Sequence, residues 1–130
     1  NSNIGIGDHA LFSISSGASN LGIGQDALLA TDTSSNLLAF GNEAMSGNIN
    51  GTGSMAIGSG ALKTATAPSD STAIGNDALG NATTAVNVLA IGTTAGRDAS
   101  GANDCVFLGT GAGVFAAGNS LAERELPSRN

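Results

Sequence analysis

One dipeptide sets the terms on which this chain folds. Ile-Gly, or a close equivalent, returns every 17 residues and places glycine at Gly7, Gly24, Gly41, Gly58, Gly75, Gly92 and Gly109, with neither insertion nor deletion. Three residues after each glycine stands alanine: Ala10, Ala27, Ala44, Ala61, Ala78, Ala95 and Ala112. Self-similarity at a fixed short period marks an array whose units stack on one another. We number each unit from its glycine, position 0, to position 16. Position 14 is then Ile4, Leu21, Leu38, Met55, Thr72, Leu89 and Val106. Position 15 is Gly5, Gly22, Ala39, Ala56, Ala73, Ala90 and Phe107. Position 16 is Ile6, Ile23, Phe40, Ile57, Ile74, Ile91 and Leu108. Alternation of apolar, small and apolar residues has the period of a strand.

The remainder of each unit is rich in Ser, Thr, Asn, Asp and Gly, the residues of turns. Leu11, Leu28, Met45, Leu62 and Leu79 follow the alanine, and Gly96 and Gly113 take their place in the last two units. A helical repeat is excluded. It needs longer stripes of period 3.6, and each regular glycine inside a helix costs about 1 kcal/mol. Seventeen extended residues cover about 56 Å, the contour of one flattened coil of a parallel β-solenoid. The expectation is an all-β fold of seven 17-residue coils over residues 2–120, with like positions stacked about 4.8 Å apart.

That geometry gives each column a role. The corner glycines are expected at positive φ. Ile6, Ile23, Phe40, Ile57, Ile74, Ile91 and Leu108 are expected to fill the coil core. The small column, Gly22, Ala39, Ala56, Ala73 and Ala90, then faces outward and becomes the expected interface with a neighbouring chain. Cys105 is expected on the same outward face. As the one cysteine it permits no internal disulfide, and a small apolar filler or an interchain bond are its two readings. Residues 121–130 carry four charges and no glycine, and read as a cap or linker. Asn1 fits position 11 of an earlier coil, so the chain reads as a segment of a longer one.

Composition narrows the function. Only 3% of residues are aromatic and 11% are charged, against about 25% charged in ordinary soluble domains. The net charge is −6, and the four basic residues, Lys63, Arg97, Arg124 and Arg129, form no cluster. Nucleic acid and anionic membrane surfaces are therefore not expected partners. No apolar run approaches the roughly 18 residues of a membrane span.

Met55-Ala56-Ile57-Gly58, Thr72-Ala73-Ile74-Gly75 and Leu89-Ala90-Ile91-Gly92 resemble the head repeats of trimeric autotransporter adhesins of the YadA type. Residues 3–11 and 106–113 look still more like repeats of bacteriophage tail fibres. The resemblance spans residues 2–120. The longer polar return, and the lack of a coiled-coil stalk or anchor in the sequence, favour the phage fibre. The resemblance implies a left-handed roll, three identical chains around one axis, and a place in the virion, with the bacterial cell surface as the alternative. Other fibre or tail proteins and a host surface receptor are the implied partners.

Signals for chemistry are weak beside the repeat. Gly5-Ile6-Gly7-Asp8-His9-Ala10 matches a dinucleotide fingerprint, but that motif needs a following helix, and another strand unit follows instead. His9, the single histidine, shares position 2 with Asp26, Glu43, Gly60, Asp77, Thr94 and Gly111, which reads as a variable solvated corner rather than a catalytic base. Asp8, Asp26, Glu43 and Asp77 form an acidic edge without the Gly-Asp nonapeptide of calcium-binding rolls. Threonines at 31, 33, 64, 66, 93 and 94 fall in different columns, unlike an ice-binding array. Asn50-Gly51-Thr52 and Asn81-Ala82-Thr83 are glycosylation sequons by pattern. The expectation is a non-enzymatic rod segment with no cofactor and no metal. Loops at 14–18, 48–52, 65–69 and 82–86 are the candidate receptor contacts. A stand-alone ice- or cation-binding solenoid is the alternative.

Overall fold

The structure, a computed structural model, describes residues 2–48 and 50–114 and the backbone of a strand at Ala122–Arg124. Among the described residues it is all-β and contains no helix. Strands β1 (Ile4–Ile6), β2 (Leu21–Ile23), β3 (Leu38–Phe40), β4 (Met55–Ile57), β5 (Thr72–Ile74), β7 (Leu89–Ile91), β9 (Val106–Leu108) and β10 (Ala122–Arg124) form one parallel sheet in that order. Two further strands, β6 (Ala85–Val86) and β8 (Ala102–Asn103), pair in parallel on another side of the coil. Bridges Ser35–Thr52, Thr52–Ser69 and Ser69–Val86 extend this second ladder along the stack.

The register is that of a solenoid. Ile4 pairs with Leu21, Leu21 with Leu38, Leu38 with Met55, and so on through Leu89 with Val106. Each step is 17 residues, giving six complete turns between β1 and β9. The last step is different: Ala122 pairs with Val106 and Arg124 with Leu108, an offset of 16. Part of the segment read as a cap or linker therefore continues the sheet with one residue fewer. Residues 115–121 and 125–130 lie outside the described residues.

Coil-to-coil hydrogen bonds explain the tolerance for so few large side chains. The position 0 N–H donates to the position 16 carbonyl one coil back, as in Gly24 to Ile6 and Gly41 to Ile23, both 2.8 Å. The position 14 N–H donates one coil forward, as in Leu21 to Leu37 at 2.9 Å. Position 4 does likewise, Leu11 to Ala27 at 3.0 Å. Backbone polar groups are thus satisfied whatever fills the interior.

The corner is tighter than a single glycine would make it. Gly7 has φ 129°, but His9 at 54° and Leu11 at 59° are also left-handed, and the triplet recurs at Asp26 and Leu28, Glu43 and Met45, and Asp77 and Leu79. Alternate N–H groups close short turns within the coil (Ala10 to Gly7, Phe12 to His9), while those between them reach the next coil. A left-handed leucine costs roughly 1–2 kcal/mol. Burying that leucine returns roughly 1.5–3 kcal/mol, so burial wins. Glycine is needed at position 0 for close approach as well: a Cβ on Gly7 would stand 2.6 Å from the Gly24 carbonyl oxygen.

Burial reverses the expected orientation of the main strand. Ala39, Ala56, Ala73 and Ala90 are wholly buried inside the coil, and Gly22 is buried with them. They are not an outward interface. The expected core column faces out instead: Ile6, Phe40, Ile91 and Leu108 are exposed, and Ile23, Ile57 and Ile74 only half-buried. The reason is the leucine at position 4. Leu28, Met45, Leu62 and Leu79 fill the interior, and a Cβ on Gly22 would already lie 3.4 Å from Leu28 Cδ1 and 3.6 Å from Leu11 Cγ. Only a small residue fits opposite them. Cys105 is likewise buried rather than outward.

Candidate assembly surface

The reversed strand leaves one continuous apolar face. Positions 14 and 16 flank the buried small column, so β1 through β9 present two parallel rows of side chains along the stack. Ile4 and Ile6 are each 57% exposed, Phe40 52%, Leu108 39% and Ile91 38%. Leu21, Leu38, Met55, Thr72, Leu89 and Val106 are half-buried in the other row. Neither row holds a charged residue from β1 to β9. Seven rungs make the face roughly 30 Å tall and 10 Å wide in projection. With side chains standing proud of the sheet, it offers on the order of 800 Å² of accessible surface, the area one partner contributes to a standard interface. The largest apolar patch of a typical monomer is about 300–600 Å².

Polar side chains lie around the turns. His9 Nδ1 is 3.2 Å from Asp26 Oδ1, and its Nε2 is 3.8 Å from Asp8. The His9 ring meets Phe12 edge-on, with centroids 5.4 Å apart. Lys63 pairs with Glu43 one coil away, and that hydrogen bond raises the lysine pKa above its ordinary value. Asn81 Nδ2 donates to Asp98 Oδ1 at 2.6 Å, and this bond, with help from Arg97, holds the Asp98 carboxyl below its ordinary value. These pairs tie adjacent coils or neighbouring residues and are solvent-exposed, so each adds little to stability.

The chemical signals of the sequence do not converge. Among the described residues no three His, Cys, Asp or Glu side chains gather as a metal set. The position 2 column brings His9 to Asp26, but Gly60, Thr94 and Gly111 interrupt it. Asn50 and Asn81 of the two sequons are exposed; Asn50 Oδ1 accepts from Thr33 Oγ1 at 2.7 Å. The candidate receptor loops divide. Positions 7 and 10 point inward, burying Thr31, Asn48, Ala65 and Ala82 with Ser34, Pro68 and Ala85. Asp32, Thr66 and Thr83 at position 8, with Thr33, Asn50 and Thr84 at position 9, remain exposed.

Sequence reasoning missed position 14 as an outward row. The available signal was the leucine column at position 4, as regular as the isoleucines and sufficient to fill a thin coil alone. Comparison of the chain with protein-family models, with curated proteins and with solved structures returned no match.

Proposed function

We propose that this chain is a structural rod segment of a homotrimeric fibre, with no catalytic role. The apolar face of positions 14 and 16 supports this reading above all else. An uncharged strip of that height is costly to leave in water, at roughly 25 cal/mol for each Å² of apolar surface. Its height matches the whole stack, so its best partner is an object with the same rung spacing, and another copy of the chain has that spacing by construction. Side chains of one copy then meet those of the next rung by rung. The repeat resemblance supplies the stoichiometry of three and the setting, a phage tail fibre in the virion that joins other tail proteins and engages a host surface. The same rod on a bacterial cell surface, as an adhesin head, is the alternative setting. Exposed side chains at positions 8 and 9 lie away from the strip and are the residues through which a receptor would be met.

Light scattering after size exclusion tests the assembly. Three times the chain mass of 12.5 kDa is expected. Ile57→Asp with Ile74→Asp, both on the outward row, is expected to yield a folded monomer with the β-rich circular dichroism of the parent. A parent protein that runs as a monomer at micromolar concentration sinks the reading. Binding of the parent rod, but not of a charge-reversed position 8 and 9 variant, to host cells tests the attachment role.

A further inference from the structure

The regularity that builds the apolar face also makes it slippery. Most side chains at positions 14 and 16 are aliphatic residues of similar size, so a copy displaced by one rung, about 4.8 Å, meets nearly the same surface. It forfeits only the contacts of a single rung at each end. Uniform surfaces of this kind specify register weakly. Two residues break the uniformity. Thr72, in β5, is the one polar side chain in its row. Its backbone N–H donates to Val88 O at 2.7 Å, but its hydroxyl makes no hydrogen bond among the described residues. Phe40, in β3, is the one aromatic in the other row and is 52% exposed.

We infer that Thr72 and Phe40 fix the axial register of neighbouring copies, so that each rung meets the same rung of its partner. The inference rests on the homotrimer reading above. In register, the Thr72 hydroxyls of neighbouring copies share one layer and hydrogen-bond one another across the interface. One rung out of register, each hydroxyl faces Met55 or Leu89 and is left dry and unpaired, which costs far more than the bond itself contributes. A single polar residue in an apolar seam fixes register in coiled coils by the same physics. Phe40 adds a shape term, because rings in one layer stack edge to face, whereas a ring slipped by one rung collides with Ile23 or Ile57. Placed two rungs apart and in opposite rows, the pair also rejects a two-rung slip.

Disulfide trapping tests this in a Cys105→Ser background. One chain carries Ile74→Cys and a second carries Ile91→Cys, both at position 16 and one rung apart. The two are mixed, refolded and oxidised, and the cross-links are mapped by mass spectrometry. A disulfide needs Cβ atoms about 3.5–4.5 Å apart, less than one rung of rise, so 74–91 links report slip alone. With Thr72 and Phe40 present, links are expected between like positions. With Thr72→Leu and Phe40→Ile, the trimer mass is expected to persist while 74–91 links rise about tenfold, the response to losing a register preference of that size. Thr72→Val, which keeps the shape and removes the hydroxyl, is expected to give part of the rise. A double variant that stays trimeric and still links only like positions overturns the register inference and leaves the assembly standing. A protein that is monomeric and forms no links overturns both.

Discussion

The interior of the solenoid is filled in two ways, and the halves share one backbone. In the earlier coils the inward positions 7, 10 and 13 hold mainly polar residues, Asn20, Thr31, Ser34, Asn48 and Ser54, all buried, with Leu37 as the apolar exception. In the later coils the same positions hold mainly apolar residues, Ala65, Ala82, Ala85, Val88, Ala99, Ala102 and Cys105, with Ser71 as the polar exception. The 17-residue step is identical across both. The polar half needs extra partners. Asn20 Nδ2 donates to Ser34 O at 2.8 Å, its Oδ1 accepts from Leu37 N at 3.0 Å, and its own N–H is taken by Asn3 Oδ1 at 2.9 Å. Asn48 Oδ1 accepts from Gly51 N at 2.8 Å and from Ser34 Oγ at 3.3 Å. The alanine half needs fewer: Ser71 Oγ donates to Ser69 O and accepts from Val88 N, both at 3.1 Å, and the alanines ask for nothing. The backbone ladder thus fixes the coil, and the interior has only to be small and satisfied.

The contrast can be broken from its apolar end first. Phe107 is buried in the small column because Gly96 leaves room: a Cβ on Gly96 would stand 2.7 Å from Phe107 Cδ2. Phe107→Ala removes the largest interior side chain and is expected to cost about 3–5 kcal/mol in urea unfolding. Adding Gly96→Leu to Phe107→Ala restores the leucine of the earlier coils and should recover part of that loss, although Gly96→Leu alone should be severely destabilising. A double-mutant cycle that shows no coupling would separate the two residues.

In the polar half, Asn20→Ala leaves the Leu37 N–H and Ser34 carbonyl without their partner and is expected to cost about 1–3 kcal/mol. Thr31 works in the opposite direction. Its Oγ1 is buried and has no hydrogen-bond partner among the described residues, so Thr31→Val is expected to stabilise by up to about 1 kcal/mol. A loss there would mean that the hydroxyl is satisfied in solution, as by a buried water.

The smallest effect is at the surface. Asp98 has a folded pKa below its ordinary 3.8, so its contribution is present above that value and fades as pH falls through the lower folded one. Carboxyl titration by NMR should place its midpoint below 3.8, and Asn81→Ala should move it upward.

The period, the strand at positions 14 to 16 and the parallel solenoid were legible because they are properties of columns. The direction of the strand was not. Alternation defines two faces without saying which is inside, and the single step from Ala56 to Ile57 separates core from surface. Leu28 at φ 54° was hidden for a different reason: nothing in leucine's preferences announces a left-handed backbone, which only the rung geometry imposes. The exchange of leucine for Gly96 and Gly113 stood in the sequence as a plain irregularity. At Gly96 it acquires meaning, because Phe107 occupies the space a leucine would take. The shortened step to Ala122 has no corner glycine to mark it, so the segment reads as a cap or linker in the sequence.

Every rung-to-rung bond described above reaches only the adjoining coil. Copying one seventeen-residue stretch in the gene therefore lengthens the molecule by one fixed increment and asks nothing of the remaining turns. Length behaves here like a ruler with heritable graduations. A lineage can reset how far the tip stands from its base by duplication or loss, while the cross-section stays as it was.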